Sequence, residues 1–465
     1  MIAISLGDIA QAVLGELVEG DPAAVVTGKV THDSRDVDQG DLFVAIVGER
    51  FDGHEFVDHA LASGAVAALV TTPGPEPAVV VADTTVALGL LAREVLRRQP
   101  DVTTIAVTGS SGKTSTKDML SAVFSAAGPT IAPPGSFNND LGLPMTVLEV
   151  NEQSRWMVLE MGARGRGHIA RLCGYAQPDI SIALNVGSAH LGEFGSVEGI
   201  FVAKREIIEV LKPTGVAVLN ADDPFVTRMA EAAPGRIVWF GTGEHADVQL
   251  TNVVLDDLAR PLVTLRIGDQ GSYDVQLATH GEHQASNAAA AAAAGLAAGL
   301  PAALIIEALA GARAASRWRM ELSQTQGGFT VINDSYNANP ESMAAGLRAL
   351  GSFGSRDGKR WAVLGEMKEL GPDFAVAHRE VGQVVLALGI DRLVGIGEGG
   401  ALIVAGAIEA GMSPNHAHAV TASDAALSVL TDEASDNDIA LFKASRSVGL
   451  EVLVDEVIEH FGGEK

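Results

Sequence analysis

The chain has 465 residues, 47% hydrophobic and 19% charged with 52 glycines, a composition that excludes a disordered chain and, at ~150 residues per domain, predicts about three domains rather than one core. Asp and Glu outnumber Lys and Arg 58 to 32, a net charge of −26, which opposes nucleic acid or an anionic membrane as the main partner; an anionic substrate would need local basic sites. Cys173 is the single cysteine, so no internal disulfide can form and a reducing compartment, the cytoplasm, is expected, with Cys173 as a packing residue.

Residues 1–98 alternate helix and strand signals: a helix near 7–17, a strand near 42–46, a helix over 54–63, a strand over 65–70, then an Ala/Leu-rich helix ending at Arg97 and Arg98. They predict a small α/β unit, 1–100. The opening segment carries Asp8, Glu16 and Glu19 and lacks a basic start, so it reads as a helix and not as a signal peptide. Gln99, Pro100 and Asp101 form the linker.

The second unit, 101–314, opens on TTIAVTGSSGKTSTK, 103–117. A β-branched apolar run leads into a turn at Gly109 and Gly112, and helix-forming residues follow from Lys113. In that order the amides of Gly109, Ser110, Ser111, Gly112, Lys113 and Thr114 can face phosphates at a helix N-terminus. Lys113 serves as a point charge and the Thr114 hydroxyl as a Mg²⁺ ligand. The full P-loop pattern wants glycine at 107, where Val107 stands, so the match is to the shorter G-x-x-G-K-T. A plain glycine-rich turn is the alternative, and it leaves Lys113 unexplained.

Further apolar strands at 156–159, 180–186, 216–219 and 237–240, with helices between, predict a central parallel sheet. Residues 247–278 alternate without helices and read as an antiparallel addition. The charge-poor run 288–306 is mostly Ala and Gly and is broken by Pro301, which predicts two buried helices and no membrane span. The third unit, 315–465, repeats the pattern with strands at 329–332, 361–364, 393–396 and 439–442, a second, Rossmann-like α/β sheet. Gly395, Gly397 and Gly400 satisfy G-x-G-x-x-G, but the segment lies late in the unit and the acid expected at a strand end about 20 residues on does not stand out, so the match is discounted.

Several residues fall at the carboxyl ends of predicted strands, where open α/β sheets bind ligands. Glu160 could hold Mg²⁺; a surface ion pair is its plain reading. His190, in NVGSAHLGEFGS, and Lys204, in VAKREII, would converge on the phosphates, though either alone is an ordinary residue. Asn138 and Asn139 could bond phosphate or substrate, or simply make a turn. Arg317 and Arg319, in SRWRME at the boundary of the second and third units, could reach a phosphate when the units close. Asp334 could hold a ribose hydroxyl or a Lys/Arg partner.

Read together, THDSRDVDQGDLFVAIVGERFDGHEF, TGSSGKTSTKDML, GSFNNDLGLPMTVLE, LEMGARGRGHI, NVGSAHLGEFGS, AKREI, LNADDP, GEHQASNAAAA, NDSYNANPESM, VLGEMKELG and KASRSVGLE give the chain a resemblance, over nearly its whole length, to the Mur ligases. The resemblance implies an ATP-dependent amide ligase acting through an acyl phosphate, a monomer whose substrates are a UDP-N-acetylmuramoyl-tripeptide and D-alanyl-D-alanine. It implies uridine diphosphate binding around Ser34, Arg35, Asp52 and His54, with ATP and Mg²⁺ at Lys113, Thr114 and Glu160. His190 and Lys204 would support a second Mg²⁺, Lys204 as a carbamate formed with CO₂, and Lys113, His190 and Lys204 form the implied catalytic set. Asn287 would meet adenine, Arg317 the γ-phosphate and Asp334 the nucleotide, while Asn337, Asn339, Lys443 and Arg446 would lie towards the dipeptide. Ala444 stands where the family's K-G-S-R segment has glycine, and Glu366 where aspartate is common. The competing readings are a sibling Mur ligase, a folylpolyglutamate-type ligase and a P-loop regulatory switch. The chain lacks the D-N-P-R segment of the sibling and the N-K-x-D segment of guanine switches, and its first hundred residues are superfluous to a folylpolyglutamate-type ligase.

Overall fold

The computed structural model describes residues 1–48, 51–187, 191–354 and 358–463. Three main sheets follow one another along the chain. The first runs Glu16–Val18, Ala78–Val80, Ala67–Val70, Leu42–Val44, Val30–Thr31 and is parallel except for the first pair. The second runs Ser272–Gln276, Pro261–Ile267, Val248–Leu255, Arg236–Gly241, Val216–Asn220, Ile180–Ala183, Thr103–Thr108, Trp156–Glu160, Thr130–Ile131. Its antiparallel addition, Pro261–Ile267 and Ser272–Gln276, extends the parallel part in the same sheet. The third runs Glu321–Gln324, Thr330–Asn333, Ile439–Lys443, Arg360–Leu364, Arg392–Ile396, Ala417–Val420, with only the first pair antiparallel.

Period-two alternation decides which core each central residue enters. Ala106 and Leu159 pack into a core shared with Leu42 and Leu91 of the first unit, so the first two units are joined by continuous apolar contact. Ile105 and Val107 point the other way, onto Phe124 and the alanines of the helix His283–Ala297. Ala288 to Ala294 are all fully buried. Small side chains let this helix lie close to the helix Lys113–Ala127 that follows the glycine turn, which is why an alanine run belongs in this core. It is followed by a separate helix, Ala302–Gly311, and among the described residues no helix is long and apolar enough to cross a membrane.

Two differences from the sequence expectations have local causes. The helix expected over 7–17 stops at Ala12, and Glu16–Val18 is an edge strand. Leu14 takes φ 57°, and a Cβ on Gly15 would lie 2.8 Å from the Val80 carbonyl oxygen, so the chain must leave the helix to meet that strand. The glycines of the discounted dinucleotide pattern are used for packing. A Cβ on Gly395 would lie 2.1 Å from the Gly400 carbonyl oxygen, so the helix Gly397–Ala410 can rest on the strand Arg392–Ile396 only with glycine at both contacts.

Candidate active site

The strands Thr103–Thr108, Trp156–Glu160 and Ile180–Ala183 are in register, with Glu160 opposite Val107 and Ala183 opposite Thr108. Their carboxyl ends therefore open side by side. Beyond Thr108 the chain turns at Gly109 and at Gly112, which has φ 79°. A Cβ on Gly112 would lie 2.6 Å from Oδ1 of the buried Asn287, so glycine is required there both for conformation and for approach. Asn287 thus backs the glycine turn, its amide nitrogen donating to Gln284 at 3.0 Å.

Helix Lys113–Ala127 starts directly at the turn, and its first amides have no preceding carbonyls to bond. Not every loop amide is free for an anion, contrary to the sequence expectation. Ser110 and Ser111 give their N–H groups to Oδ1 of Asn185 at 2.9 and 3.0 Å. Asn185 is a residue that sequence reasoning passed over, although it lies in the quoted NVGSAH segment.

The Thr114 hydroxyl donates to Glu160 Oε2 at 2.8 Å and meets Ser136 Oγ at 2.6 Å. Asn138 donates to Glu160 Oε1 at 2.7 Å. Lys113 Nζ reaches back to the Gly109 carbonyl at 2.7 Å. These residues line a cavity of about 260 Å³ together with Lys204, Arg319, Arg164, Asn337 and Asn339. Among the described residues, cationic side chains outnumber acidic ones on its wall, where Glu160 and Glu369 are the acids, in a chain of net charge −26. That local inversion is what an anionic ligand needs.

Lys204 is buried on the helix Val197–Glu209. Burial, reinforced by the neighbouring Lys113 charge, holds its amine well below the usual lysine range. Burial also lowers Lys113, against the attraction of Glu160. Arg319 donates to Ser136 Oγ at 3.1 Å and stacks on Tyr336, while its buried Nε has no partner among the described residues. Arg317 remains exposed against Trp318 and borders a neighbouring cleft of about 350 Å³. Of the two arginines, the structure brings Arg319 to the phosphate loop and leaves Arg317 outside this cavity. His190 lies outside the described residues.

From the third unit, Asn339 caps the helix Pro340–Ser352 and its amide points 3.5 Å from the Ser110 carbonyl oxygen. Asp334 has a lysine partner, the second of the two options weighed for it. Its Oδ2 accepts from the buried Lys443 at 2.6 Å and its Oδ1 from the Met320 amide at 3.2 Å. Lys443 also donates to the Asn337 carbonyl at 2.9 Å, so it fastens the loop that carries Asn337 and is not presented to a dipeptide. Arg446 pairs with Glu451 and stacks on Trp318; it borders a second cavity, of about 250 Å³, with Asn337 and Asn339. Ala444 is absent from the positive-φ residues and is fully buried. Its methyl takes the space that a Cβ on Gly365 would need, 2.8 Å away, so the glycine at 365 accommodates the alanine at 444.

Asn139 makes a turn, accepting from the Leu141 and Gly142 amides at 3.2 and 2.8 Å, although it also borders the cavity. Ser34, Arg35, Asp52 and His54 lie apart from the cavity, on the first unit. Arg35 is exposed and forked onto Asp33. His54 Nε2 accepts from the Thr71 amide at 2.9 Å, so its Nδ1 carries the proton and donates to Asp52 at 2.6 Å. His168, on the cavity wall 2.9 Å from Asp140, was not singled out from sequence, because a lone histidine carries no spacing signal.

Comparison with known proteins gives one family along the chain. Residues 28–94 match the Mur ligase family catalytic domain, 107–295 the Mur ligase middle domain, and 318–446 the Mur ligase glutamate ligase domain. The UDP-N-acetylmuramoyl-tripeptide--D-alanyl-D-alanine ligase of Mycobacterium leprae is 40% identical, over 98% of this chain and 99% of its own. A crystal structure of MurF from Acinetobacter baumannii superposes with TM-score 0.88 at 34% identity, over 98% of this chain and 99% of its own. MurF ligase from Thermotoga maritima, solved in complex with ADP, superposes with TM-score 0.81 at 30% identity, over 94% and 98%.

Proposed function

This chain belongs to the Mur ligase family, and on that premise we propose that it joins D-alanyl-D-alanine to a UDP-N-acetylmuramoyl-tripeptide in an ATP-dependent reaction of peptidoglycan synthesis. Full-length likeness to ligases of that name carries the substrate assignment. The observation that carries the chemistry is the convergence of Lys113, Thr114, Glu160, Lys204 and Arg319 on one cavity. We draw the domains at 1–100 for the uridine nucleotide substrate, 101–314 for ATP and 315–465 for the ligase domain.

A carboxylate is a poor electrophile at neutral pH, so the tripeptide carboxylate must first take the γ-phosphoryl group of ATP. The acyl phosphate then accepts the dipeptide amine, and the tetrahedral intermediate collapses with loss of phosphate. The charge that develops in phosphoryl transfer is stabilised by Lys113, Arg319 and the helix N-terminal amides. The orphaned Nε of Arg319 supports an anion in this position. Thr114 and Glu160 are hard oxygen donors 2.8 Å apart, a donor set that fits Mg²⁺ held by one or two protein oxygens and by phosphate. When bound, that ion neutralises phosphate charge.

Lys204 fits a carbamate: a buried amine held towards its neutral form is the form that reacts with CO₂, and the product anion would face Lys113. The Asp52 and His54 turn of the first domain is assigned to the uridine diphosphate. Holding three substrates in line is mainly positioning, which suits three domains that close. The test is phosphate release by the purified protein with Mg-ATP and each substrate singly and together. Release that needs both, with the pentapeptide product seen by mass spectrometry, supports the reading; ATP turnover indifferent to the amine overturns it.

A further inference from the structure

The connection between the second and third domains is a strap, residues 312–320, between the helix Ala302–Gly311 and the strand Glu321–Gln324. It is gripped from two sides. On the side of the central domain, Lys117 and Asp118 of the phosphate-loop helix form an ion pair with side chains 1% and 5% exposed. Asp118 Oδ2 accepts the Ala315 and Ser316 amides at 3.1 and 3.2 Å, and its Oδ1 accepts the Ser316 hydroxyl at 3.3 Å. Lys117 Nζ donates to Ser316 Oγ at 3.2 Å and to the Pro133 carbonyl at 2.7 Å. The residues just beyond Pro133 carry Ser136 and Asn138, so the same pair holds the loop that completes the phosphate cavity.

On the other side, the C-terminal domain holds the strap from Trp318 onward. The Trp318 amide donates to Glu321 and its carbonyl accepts from Tyr336, at 3.0 and 3.3 Å, while the Met320 amide donates to Asp334. Trp318 and Met320 have φ of 60° and 52°, left-handed conformations that a non-glycine residue keeps only when its surroundings enforce them. Between the two grips stands one residue, Arg317. Arg319, two residues further, enters the phosphate cavity.

We propose that Lys117 and Asp118 are positioning residues. They pin the strap at Ser316, so that the C-terminal domain turns about Arg317 and delivers Arg319 to the phosphate that Lys113, one turn earlier on the same helix, already holds. A buried ion pair contributes little net stability against an apolar pair of the same volume, so its role here is registry between the nucleotide helix and the hinge. The inference rests on the ligase reading, and wild-type turnover that needs both substrates tests that reading separately from any variant.

The experiment compares wild type with Ser316→Ala, Ser316→Thr and Asp118→Asn in thermal stability, ADP affinity by calorimetry, kcat and each KM by phosphate release, and compaction on adding ATP and tripeptide substrate by small-angle X-ray scattering. Ser316→Ala is expected to keep ADP affinity within about 3-fold while kcat falls ~10-fold or more, the cost of a misplacement far from the chemistry, with weakened compaction and recovery in Ser316→Thr. Asp118→Asn is expected to lose more of kcat in the same pattern. Wild-type kcat and compaction in folded Ser316→Ala would overturn the proposal. So would a parallel loss of kcat and ADP affinity, which marks a merely structural role. If Asp118→Asn does not fold, the Ser316 pair decides.

Discussion

Thr114 Oγ1 donates to Glu160 Oε2 across 2.8 Å, tying the first turn of the phosphate-loop helix to the end of the neighbouring strand. The carboxylate is already oriented by Asn138, so Thr114 and Glu160 would need little rearrangement to hold a divalent ion between their oxygens, the hydroxyl keeping its proton and turning it aside. Glu160→Gln keeps this shape and removes the charge. It is expected to lower kcat by about 10²-fold or more, the scale for one lost electrostatic contact at developing charge. It should also raise the Mg²⁺ concentration for half-maximal phosphate release, with the melting temperature nearly unchanged. Chelation of Mg²⁺ should abolish release in wild type, and an unaltered Mg²⁺ titration in the variant would remove Glu160 from the metal.

Lys204 is a buried amine beside the Lys113 charge with, among the described residues, no acidic partner. Its lowered folded pKa means that the unfolded chain binds the extra proton between that value and 10.5. Stability contributed by this group is therefore full above 10.5 and is lost as pH falls through the window. In bicarbonate-free buffer at neutral pH, Lys204→Met should stabilise the fold by about 1 kcal/mol, the usual size of such a gain, while removing ligase activity. Wild type should regain activity on adding bicarbonate and show a ¹³C carbamate signal from labelled bicarbonate. A wild type indifferent to bicarbonate and without that signal would exclude the carbamate.

Burial pushes His283 down to about 4, with Asp334 opposing and Lys443 and Arg348 adding to the shift. The unfolded side chain titrates near 6.5, so between about 6.5 and 4 the unfolded state holds the extra proton and stability falls with pH. His283→Gln should flatten the acid limb of melting temperature against pH in that window and leave the curve above pH 7 unchanged. An unaltered acid limb would show that the ring is open to water.

The glycine turn between strand and helix, the parallel sheet and the place of Glu160 at a strand end were legible because strand, turn and helix start are adjacent in sequence and each has its own periodicity. What escaped depends on pairing at long range. Asn185 takes two loop amides from a strand end roughly 75 residues away, a role that any turn asparagine could equally lack. Lys443 reads as a ligand from its segment, yet its ammonium is consumed by Asp334, 109 residues earlier. The edge strand Glu16–Val18 was absorbed into a helix because its apolar spacing suits both periods, and only the partner strand Ala78–Val80 decides between them.

The two arginines of SRWRME separate in space. Arg317 is exposed between the two grips on the strap, whereas Arg319 reaches Ser136, itself 2.6 Å from the Thr114 hydroxyl. If Arg319 stabilises the transferring phosphoryl group, Arg319→Ala should lower kcat by about 10³-fold, the low end for an arginine acting in phosphoryl transfer. Arg319→Lys should recover little of this, since a point charge cannot bond Ser136 and an anion with the geometry of a guanidinium fork. Arg317→Ala, by contrast, removes an exposed side chain and should leave kcat within about 3-fold, the range of surface substitutions without buried partners. Single-turnover phosphate release by the three variants at saturating ATP measures the difference. A larger loss at 317 than at 319 would mean that closure exchanges the two side chains and that Arg317 meets the phosphate.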